Sequence, residues 1–205
     1  MNRIIIIILS GLLLFGCTKP PLSPQIDDTE TATDIVNKAL VAKKYCVEND
    51  FNTEFCILID MSIHSGKKRF FVWDFESNSA SKSYMVSHGC CDNLWLLDQS
   101  ASNPTFSNIP DSHCSSLGKY KIGERGWSNF GVNINYRLQG LEETNSNANS
   151  RDIVFHSWEE VTDEEVFPRG TAEGWGCPAI ADNSFLEIDP LLRNSEKPVL
   201  MWIYK

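Results

Sequence analysis

A histidine and a cysteine in the C-terminal third of the chain are the residues whose chemistry is easiest to interpret. His156 ends the apolar run Ile153-Val154-Phe155, and Cys177 lies in the turn Trp175-Gly176-Cys177-Pro178. A thiol needs a base to act as a nucleophile at neutral pH, and imidazole is the usual one. The glycine before the cysteine lets backbone N–H groups face an incoming carbonyl, as an oxyanion hole requires. The pair therefore indicates acyl transfer, although such a pair taken alone more often means a structural cysteine and an unrelated core histidine.

Composition restricts the kind of domain that carries this pair. The chain has 205 residues and 42% of them are hydrophobic, which suits one domain with a buried core plus a short leader. A net charge of −9 argues against nucleic acid or an anionic membrane surface as a partner. Six Trp, five Tyr and eleven Phe favour a β-rich fold.

Residues 1–17 have the features of a targeting signal. Their apolar stretch, Ile4 to Phe15, is too short for a transmembrane helix. It closes on Leu14-Phe15-Gly16-Cys17, which resembles a bacterial lipobox. That resemblance implies cleavage before Cys17, lipid attachment to its sulfur and, because Thr18 follows, sorting to the outer membrane. An ordinary signal peptide or an uncleaved anchor is the alternative interpretation.

The region after this signal predicts a tether and then a periplasmic domain. Residues 18–33 contain three prolines and many polar residues, and they predict an extended tether. Residues 34–205 are expected to form the folded domain. Its anchor would hold it at the outer membrane, in the oxidising periplasm, where disulfides persist.

The cysteines of that domain suggest disulfides without fixing them. Besides the lipid-bearing and nucleophilic cysteines, five of the seven remain, an odd number that cannot all pair internally. We expect one disulfide between Cys46 and Cys56. A second is expected between Cys114 and either Cys90 or Cys91.

Local patterns predict one packing helix and a series of short strands. Apolar residues at helical spacing predict a helix over residues 34–49, capped by Thr33 or Asp34. Strand candidates are residues 55–62, 69–75, 83–87, 118–123, 132–141, 152–156 and 199–204. The fold class is therefore mostly β, a sandwich or barrel-like domain with one N-terminal helix and few short helices.

Five blocks of sequence occur in an order that is typical of one enzyme family. They are Lys68-Arg69-Phe70-Phe71-Val72; Ser87-His88-Gly89; Thr105-Phe106-Ser107-Asn108 with the following Ser112 to Gly118; Leu138-Gln139-Gly140-Leu141-Glu142; and Ile153 to His156 with Trp175 to Pro178. Together they resemble the murein L,D-transpeptidase catalytic domain family, a branch of the YkuD-like enzymes. The resemblance covers residues 55–204 and makes the catalytic interpretation of the Cys and His pair the stronger one.

The resemblance implies a role for each matching residue. Cys177 matches the nucleophile, His156 the base, and the backbone carbonyl of Ser157 the group that orients the imidazole. The N–H groups of Gly176 and Cys177 match the oxyanion donors.

Four further residues fall at positions expected to line the substrate cleft. They are His88, His113, Gly174 and Trp175. The implied substrate is a peptidoglycan stem peptide, attacked at the diaminopimelate carbonyl through a thioester, with no cofactor or metal ion. The acceptor is an amine, or water in an L,D-carboxypeptidase. The oligomeric state is left open.

The chain departs from the family pattern next to the nucleophile. Glu173-Gly174 stands where the family usually has Arg-Ser before the Trp-Gly-Cys-Pro turn. A carboxylate there is expected to raise the pKa of the thiol and to disfavour the thiolate. This departure favours one alternative, a non-catalytic murein-binding lipoprotein of the same fold.

Two metal sites are weaker alternatives. A zinc cluster would use His and Cys ligands, here His88, Cys90, Cys91, His113 and Cys114, but their spacing is unlike a paired CxxC arrangement and the oxidising compartment favours disulfides. The acidic run over residues 159–165 would suit calcium, but a solvated loop is the commoner meaning of such a run.

Overall fold

The computed structural model describes residues 29–205, with side-chain surroundings from residue 34 onward. The predicted signal over residues 1–17, with Cys17, lies outside the described residues, as does the first part of the predicted tether. No helix within residues 29–205 combines the length and the apolar character needed to cross a bilayer.

Eight strands form one sheet in the order β3-β2-β1-β8-β4-β5-β6-β7, a nearly closed, barrel-like arrangement. They are β1 (Phe55–Asp60), β2 (Phe70–Asp74), β3 (Ser79–Tyr84), β4 (Gly118–Trp127), β5 (Ile134–Gly140), β6 (Val154–Ser157), β7 (Ala179–Ile180) and β8 (Leu200–Tyr204). The mostly β fold class predicted from the sequence is confirmed.

The C-terminal strand β8 lies in the middle of the sheet. It runs parallel to β1 and antiparallel to β4. Strands covered on both faces have continuous apolar sequences, and Phe55–Asp60 and Leu200–Tyr204 are such runs, each with nearly every residue buried. Strand β8 therefore separates β1, β2 and β3 on one side of it from β4, β5, β6 and β7 on the other.

The first helix, α1 (Thr29–Glu48), covers one face of the sheet. Ile35, Ala39, Ala42 and Cys46 follow helical spacing and are almost fully buried in a cluster that includes Trp73. The helix begins before residue 34, so the last residues of the predicted tether are helical.

The second helix, α2 (Asp182–Arg193), packs on the other face and was not predicted from the sequence. Phe185, Ile188 and Leu192 form its buried stripe, and Phe185 contacts Phe155 of β6 at a ring separation of 5.0 Å. Pro190 inside the helix obscures the pattern, because proline normally interrupts helices. Since α2 follows β7 after a single residue, its packing helps to hold β7 in place.

Candidate active site

Strands β6 and β7 bring the predicted base and the predicted nucleophile together. The two strands are parallel, with His156 opposite Ala179 and Ser157 opposite Ile180. Cys177 precedes Ala179 by two residues and therefore lies near Val154, two residues before the histidine. Residues two apart on a strand point to the same face, so the position that faces Cys177 and His156 lie on one face of β6.

The imidazole of His156 is held in one orientation. Its Nδ1 lies 2.8 Å from the carbonyl oxygen of Ser157. A carbonyl only accepts hydrogen bonds, so Nδ1 carries the proton and Nε2 remains as the basic nitrogen. Burial lowers the pKa of His156, although the Ser157 carbonyl and Glu159 act in the opposite direction. The Phe130 ring lies 5.4 Å from the imidazole and covers it.

The thiol of Cys177 is turned toward the start of β6. The N–H of Val154 donates to Sγ over 3.4 Å, and the thiol lies 3.9 Å from the carbonyl oxygen of Asp152. Its hydrogen-bond partners within residues 34–205 do not include the imidazole. Burial raises the pKa of the thiol and Asp152 adds to the increase, while the Val154 N–H and Arg151 lower it. The resting pair is therefore a thiol and a neutral imidazole.

The turn around Gly176 presents unused backbone donors. Gly176 has a φ of +101°, and a Cβ there would stand 2.5 Å from the carbonyl oxygen of Cys114, so only glycine fits. The hydroxyl of Ser115 donates to the Gly176 carbonyl over 3.1 Å. Within the described residues, neither the N–H of Gly176 nor that of Cys177 has an acceptor. Two unpaired donors next to a thiol are what an oxyanion hole needs.

Glu173 does not act on the nucleophile as predicted from the sequence. Its carboxylate is fully buried and accepts hydrogen bonds from the N–H and hydroxyl of Ser100. Burial raises the pKa of Glu173, but the bonds from His88 and Ser100 outweigh it and the pKa is lowered. The groups that shift the pKa of Cys177 do not include Glu173. The expected effect of Glu173 on the thiol is therefore corrected.

His88 and Gly174 lie beneath the surface, not on the wall of a cleft. His88 has no exposed area, its Nδ1 accepts a hydrogen bond from Arg69 over 2.8 Å, and its Nε2 lies 2.9 Å from the Ser100 hydroxyl. Gly174 is buried and pairs with Gly89 in an isolated bridge. Both residues attach the segment after β3 to the segment before the nucleophile.

Trp175 and His113 form an exposed surface next to the thiol. The indole of Trp175 is 59% exposed, and it stacks on the imidazole of His113 at 4.8 Å. Trp95 extends this surface, with its ring 5.8 Å from Trp175 and stacked over Trp158. Trp95 was not among the predicted site residues, although the apolar run Leu94-Trp95-Leu96-Leu97 in a polar region indicates a surface of this kind.

The disulfide prediction is confirmed in one half and wrong in the other. Cys91 and Cys114 are bonded, which is one of the two expected alternatives. Cys46 and Cys56 are buried free thiols, as is Cys90. The bond removes two of the five candidate zinc ligands. Within residues 34–205, no group of three or more His, Cys, Asp or Glu side chains is arranged to hold a metal ion.

A barrel-like β domain with a thiol, a base and free N–H donors beside one turn has the parts of a cysteine acyltransferase. Residues 27–204 match the L,D-transpeptidase catalytic domain family, and the chain belongs to that family. No curated protein sequence matches the chain.

Solved structures with similar folds are distant from this chain. The protein Bd1075 of Bdellovibrio bacteriovorus is 15% identical with a TM-score of 0.44, over 75% of this chain and 49% of its own. The helical cell shape determining protein Pgp2 of Campylobacter jejuni is 12% identical with a TM-score of 0.46, over 74% and 47%. An L,D-transpeptidase of Xylanimonas cellulosilytica is 7% identical with a TM-score of 0.40, over 78% and 68%. The chain spans about half the length of the first two proteins, and family membership rests on the domain match.

Proposed function

We propose that this protein is a cysteine L,D-transpeptidase that acts on peptidoglycan stem peptides through a thioester acyl-enzyme. The observation that carries the proposal is the turn at Gly176 and Cys177. Its two free N–H groups flank a thiol, two residues before the strand that pairs with the one carrying His156. Membership of the L,D-transpeptidase family supplies the substrate class.

The first half of the reaction uses each of these groups once. The thiol rotates away from Val154 toward Nε2 of His156, which takes its proton as sulfur attacks the diaminopimelate carbonyl. The N–H groups of Gly176 and Cys177 stabilise the oxyanion. The carbon–nitrogen bond then breaks, the imidazolium gives its proton to the departing D-alanine amine, and a thioester on Cys177 remains.

The second half regenerates the thiol. An amine of a second stem peptide attacks the thioester, and His156 accepts its proton. The tetrahedral intermediate collapses, the carbon–sulfur bond breaks, and the proton returns to the sulfur. Water in place of the amine yields a shortened peptide, which is the L,D-carboxypeptidase outcome.

One observation favours a non-catalytic murein-binding lipoprotein as the second candidate. The thiol contacts Val154 and Asp152 and makes no hydrogen bond with the imidazole. A catalytic protein needs the thiol to rotate, whereas a binding protein does not. The two candidates therefore differ in whether Cys177 is ever acylated.

The test is incubation of the full chain, in detergent, with tetrapeptide muropeptides, followed by mass analysis. We expect cross-linked dimers and free D-alanine, and we expect both to disappear in Cys177→Ala, because no other group supplies the nucleophile. Cys46→Ala, which removes a buried thiol from α1, is the matched control and should retain activity. Tripeptides without dimers would indicate a carboxypeptidase.

A carbapenem provides a second measurement that does not depend on the acceptor. Thiol acylation by these drugs is what family membership implies, so we expect a covalent adduct on Cys177. Absence of both the adduct and any peptide product would support the binding protein.

We also propose that a lipid on Cys17 holds the domain at the periplasmic face of the outer membrane. Support comes from the sequence Leu14-Phe15-Gly16-Cys17 at the end of the apolar leader. In bacteria fed labelled palmitate, the protein should carry label and Cys17→Ser should not. Equal labelling of both would disprove the anchor.

A further inference from the structure

Arg151, in the turn before β6, spans a loop that lies against the nucleophile. Its Nη1 donates to the Ser107 carbonyl over 3.0 Å and to the Ser116 hydroxyl over 2.7 Å. Its Nη2 donates to the Cys114 carbonyl over 2.6 Å and, more weakly, to the Ser112 hydroxyl over 3.4 Å. One guanidinium therefore links both ends of the segment from residue 107 to residue 116.

Gly176 packs against this same segment. A Cβ on Gly176 would stand 2.5 Å from the Cys114 carbonyl oxygen and 3.3 Å from Nη2 of Arg151. The next residue in the segment, Ser115, donates its hydroxyl to the Gly176 carbonyl. The position of the Gly176 peptide is thus set by a surface that Arg151 holds in place.

The charge of Arg151 acts on the thiol, while the carboxylate that acts on Arg151, Asp111, lies beyond ion-pair distance. Within residues 34–205 it forms no ion pair, and burial lowers its pKa. Keeping a half-buried cation without a carboxylate partner costs free energy. Among the groups that respond to its charge is Cys177, whose pKa it lowers.

We propose that Arg151 is a positioning residue for the nucleophile. It holds the segment of residues 107–116 against Gly176, so that the N–H groups of Gly176 and Cys177 remain directed at the reacting carbonyl. It also supplies the cation that the family pattern would place at residue 173, where this chain has glutamate. The effect on turnover rests on the proposed transpeptidase function, whereas the effect on the thiol does not.

Arg151 has too few free N–H donors to bind a substrate carboxylate. A guanidinium has five N–H groups, and four hydrogen bonds from both Nη atoms are already made within the protein. Only the Nε–H is without an acceptor in the described part of the chain. A bidentate pair of hydrogen bonds to a substrate carboxylate therefore cannot form. Substitution should therefore change kcat and leave KM nearly constant.

The experiment compares Arg151→Gln and Arg151→Lys in the full chain, with the exposed Arg193→Gln of α2 as the matched control. Alkylation of Cys177 by iodoacetamide is followed against pH by peptide mass, which separates it from the buried thiols. In Arg151→Gln we expect the pH midpoint to rise and the rate at neutral pH to fall by about 3- to 10-fold, because an opposite charge is lost. Arg193→Gln should match the wild type.

Arg151→Lys separates charge from geometry. It keeps the cation, so the alkylation midpoint should stay near that of the wild type. A single ammonium cannot bridge four acceptors, and kcat should fall on the order of 10- to 100-fold at constant KM through misplacement of the turn.

Two results would overturn the proposal: an alkylation midpoint unchanged in Arg151→Gln, or a raised KM at constant kcat in Arg151→Lys. Melting curves test whether each variant is folded. If Arg151→Gln is unfolded, the kcat and KM of Arg151→Lys test the proposal instead. A wild-type protein without turnover would contradict the proposed function, while the alkylation shift would still test Arg151.

Discussion

At the scale of single residues, burial sets the protonation state of the reacting pair. It lowers the pKa of His156 and raises that of Cys177. Both shifts disfavour the charged forms, so the resting pair is neutral and not a thiolate–imidazolium pair. The imidazole must then take the proton during the attack, as a general base does.

This neutral pair predicts the pH dependence of acylation. An imidazole with a lowered pKa stays unprotonated to more acidic pH, so the acid limb of carbapenem acylation should have its midpoint below the ordinary histidine value of 6.5. The rate is measured from about pH 4.5 to pH 9, a range that covers both ionisations. His64→Gln, which removes an imidazole that packs on Phe167 outside the site, is the control and should leave the limb unchanged.

A shift of the acid-limb midpoint in the opposite direction would contradict the neutral pair. A midpoint above 6.5 would show that a thiolate stabilises the imidazolium. The pair would then be charged at rest, and the base role derived from the geometry would be incorrect.

At the scale of elements, α2 is attached to the sheet by a buried carboxylate as well as by its apolar stripe. Asp189 accepts hydrogen bonds from the Tyr136 hydroxyl over 2.7 Å and from Nε of Arg125 over 2.7 Å. Burial raises the pKa of Asp189, but these two partners outweigh it and the pKa is lowered. The helix follows β7 directly, so this contact also stabilises the strand after the nucleophile.

Asp189→Asn should therefore lower the free energy of unfolding by about 1–3 kcal/mol, the usual cost of weakening a buried, charge-assisted bond. Because the folded-state pKa is lowered, the contribution is present above the unfolded value of 3.8 and is lost as pH falls through the folded pKa. Urea unfolding at neutral and acidic pH measures both effects. Glu196→Gln, an exposed residue just after α2, is the control, and equal losses in the two variants would contradict the role of Asp189.

The elements that the sequence did not predict have physical reasons for being missed. Strands β1 and β8 are continuous apolar runs, and they were predicted nearly to the residue. Strand β7 has two residues, too few for any alternation to show. Pro190 interrupts the pattern of α2.

The residues of the site also differ in how well the sequence predicted them. His156, Cys177 and the Gly176 turn were recognisable because they lie in short motifs that match the family pattern. The direction of the Glu173 carboxylate was not, because its partners His88 and Ser100 come from a distant loop.

At the scale of the whole molecule, the candidate site joins three parts of the chain that are far apart in sequence. Strand β6 supplies the base, and the turn just before β7 supplies the nucleophile. The segment around Cys114 supplies the surface on which Gly176 rests. Residues 88–100 connect the two through Glu173 and His88. The Cys91–Cys114 disulfide joins the last two parts, so it links global stability to the geometry of the turn.

Replacing Cys91 and Cys114 together by serine should lower stability by about 3 kcal/mol, since the bond closes a loop with a sequence separation of 23 and restricts the unfolded chain. Because the Cys114 carbonyl supports Gly176, carbapenem acylation should slow as well, even under conditions where the variant is folded. Urea unfolding and adduct formation measure the two effects, with Cys46→Ala as a control that removes a thiol outside the disulfide. Unchanged acylation in a destabilised variant would show that Arg151 and Ser115 position the segment without the disulfide.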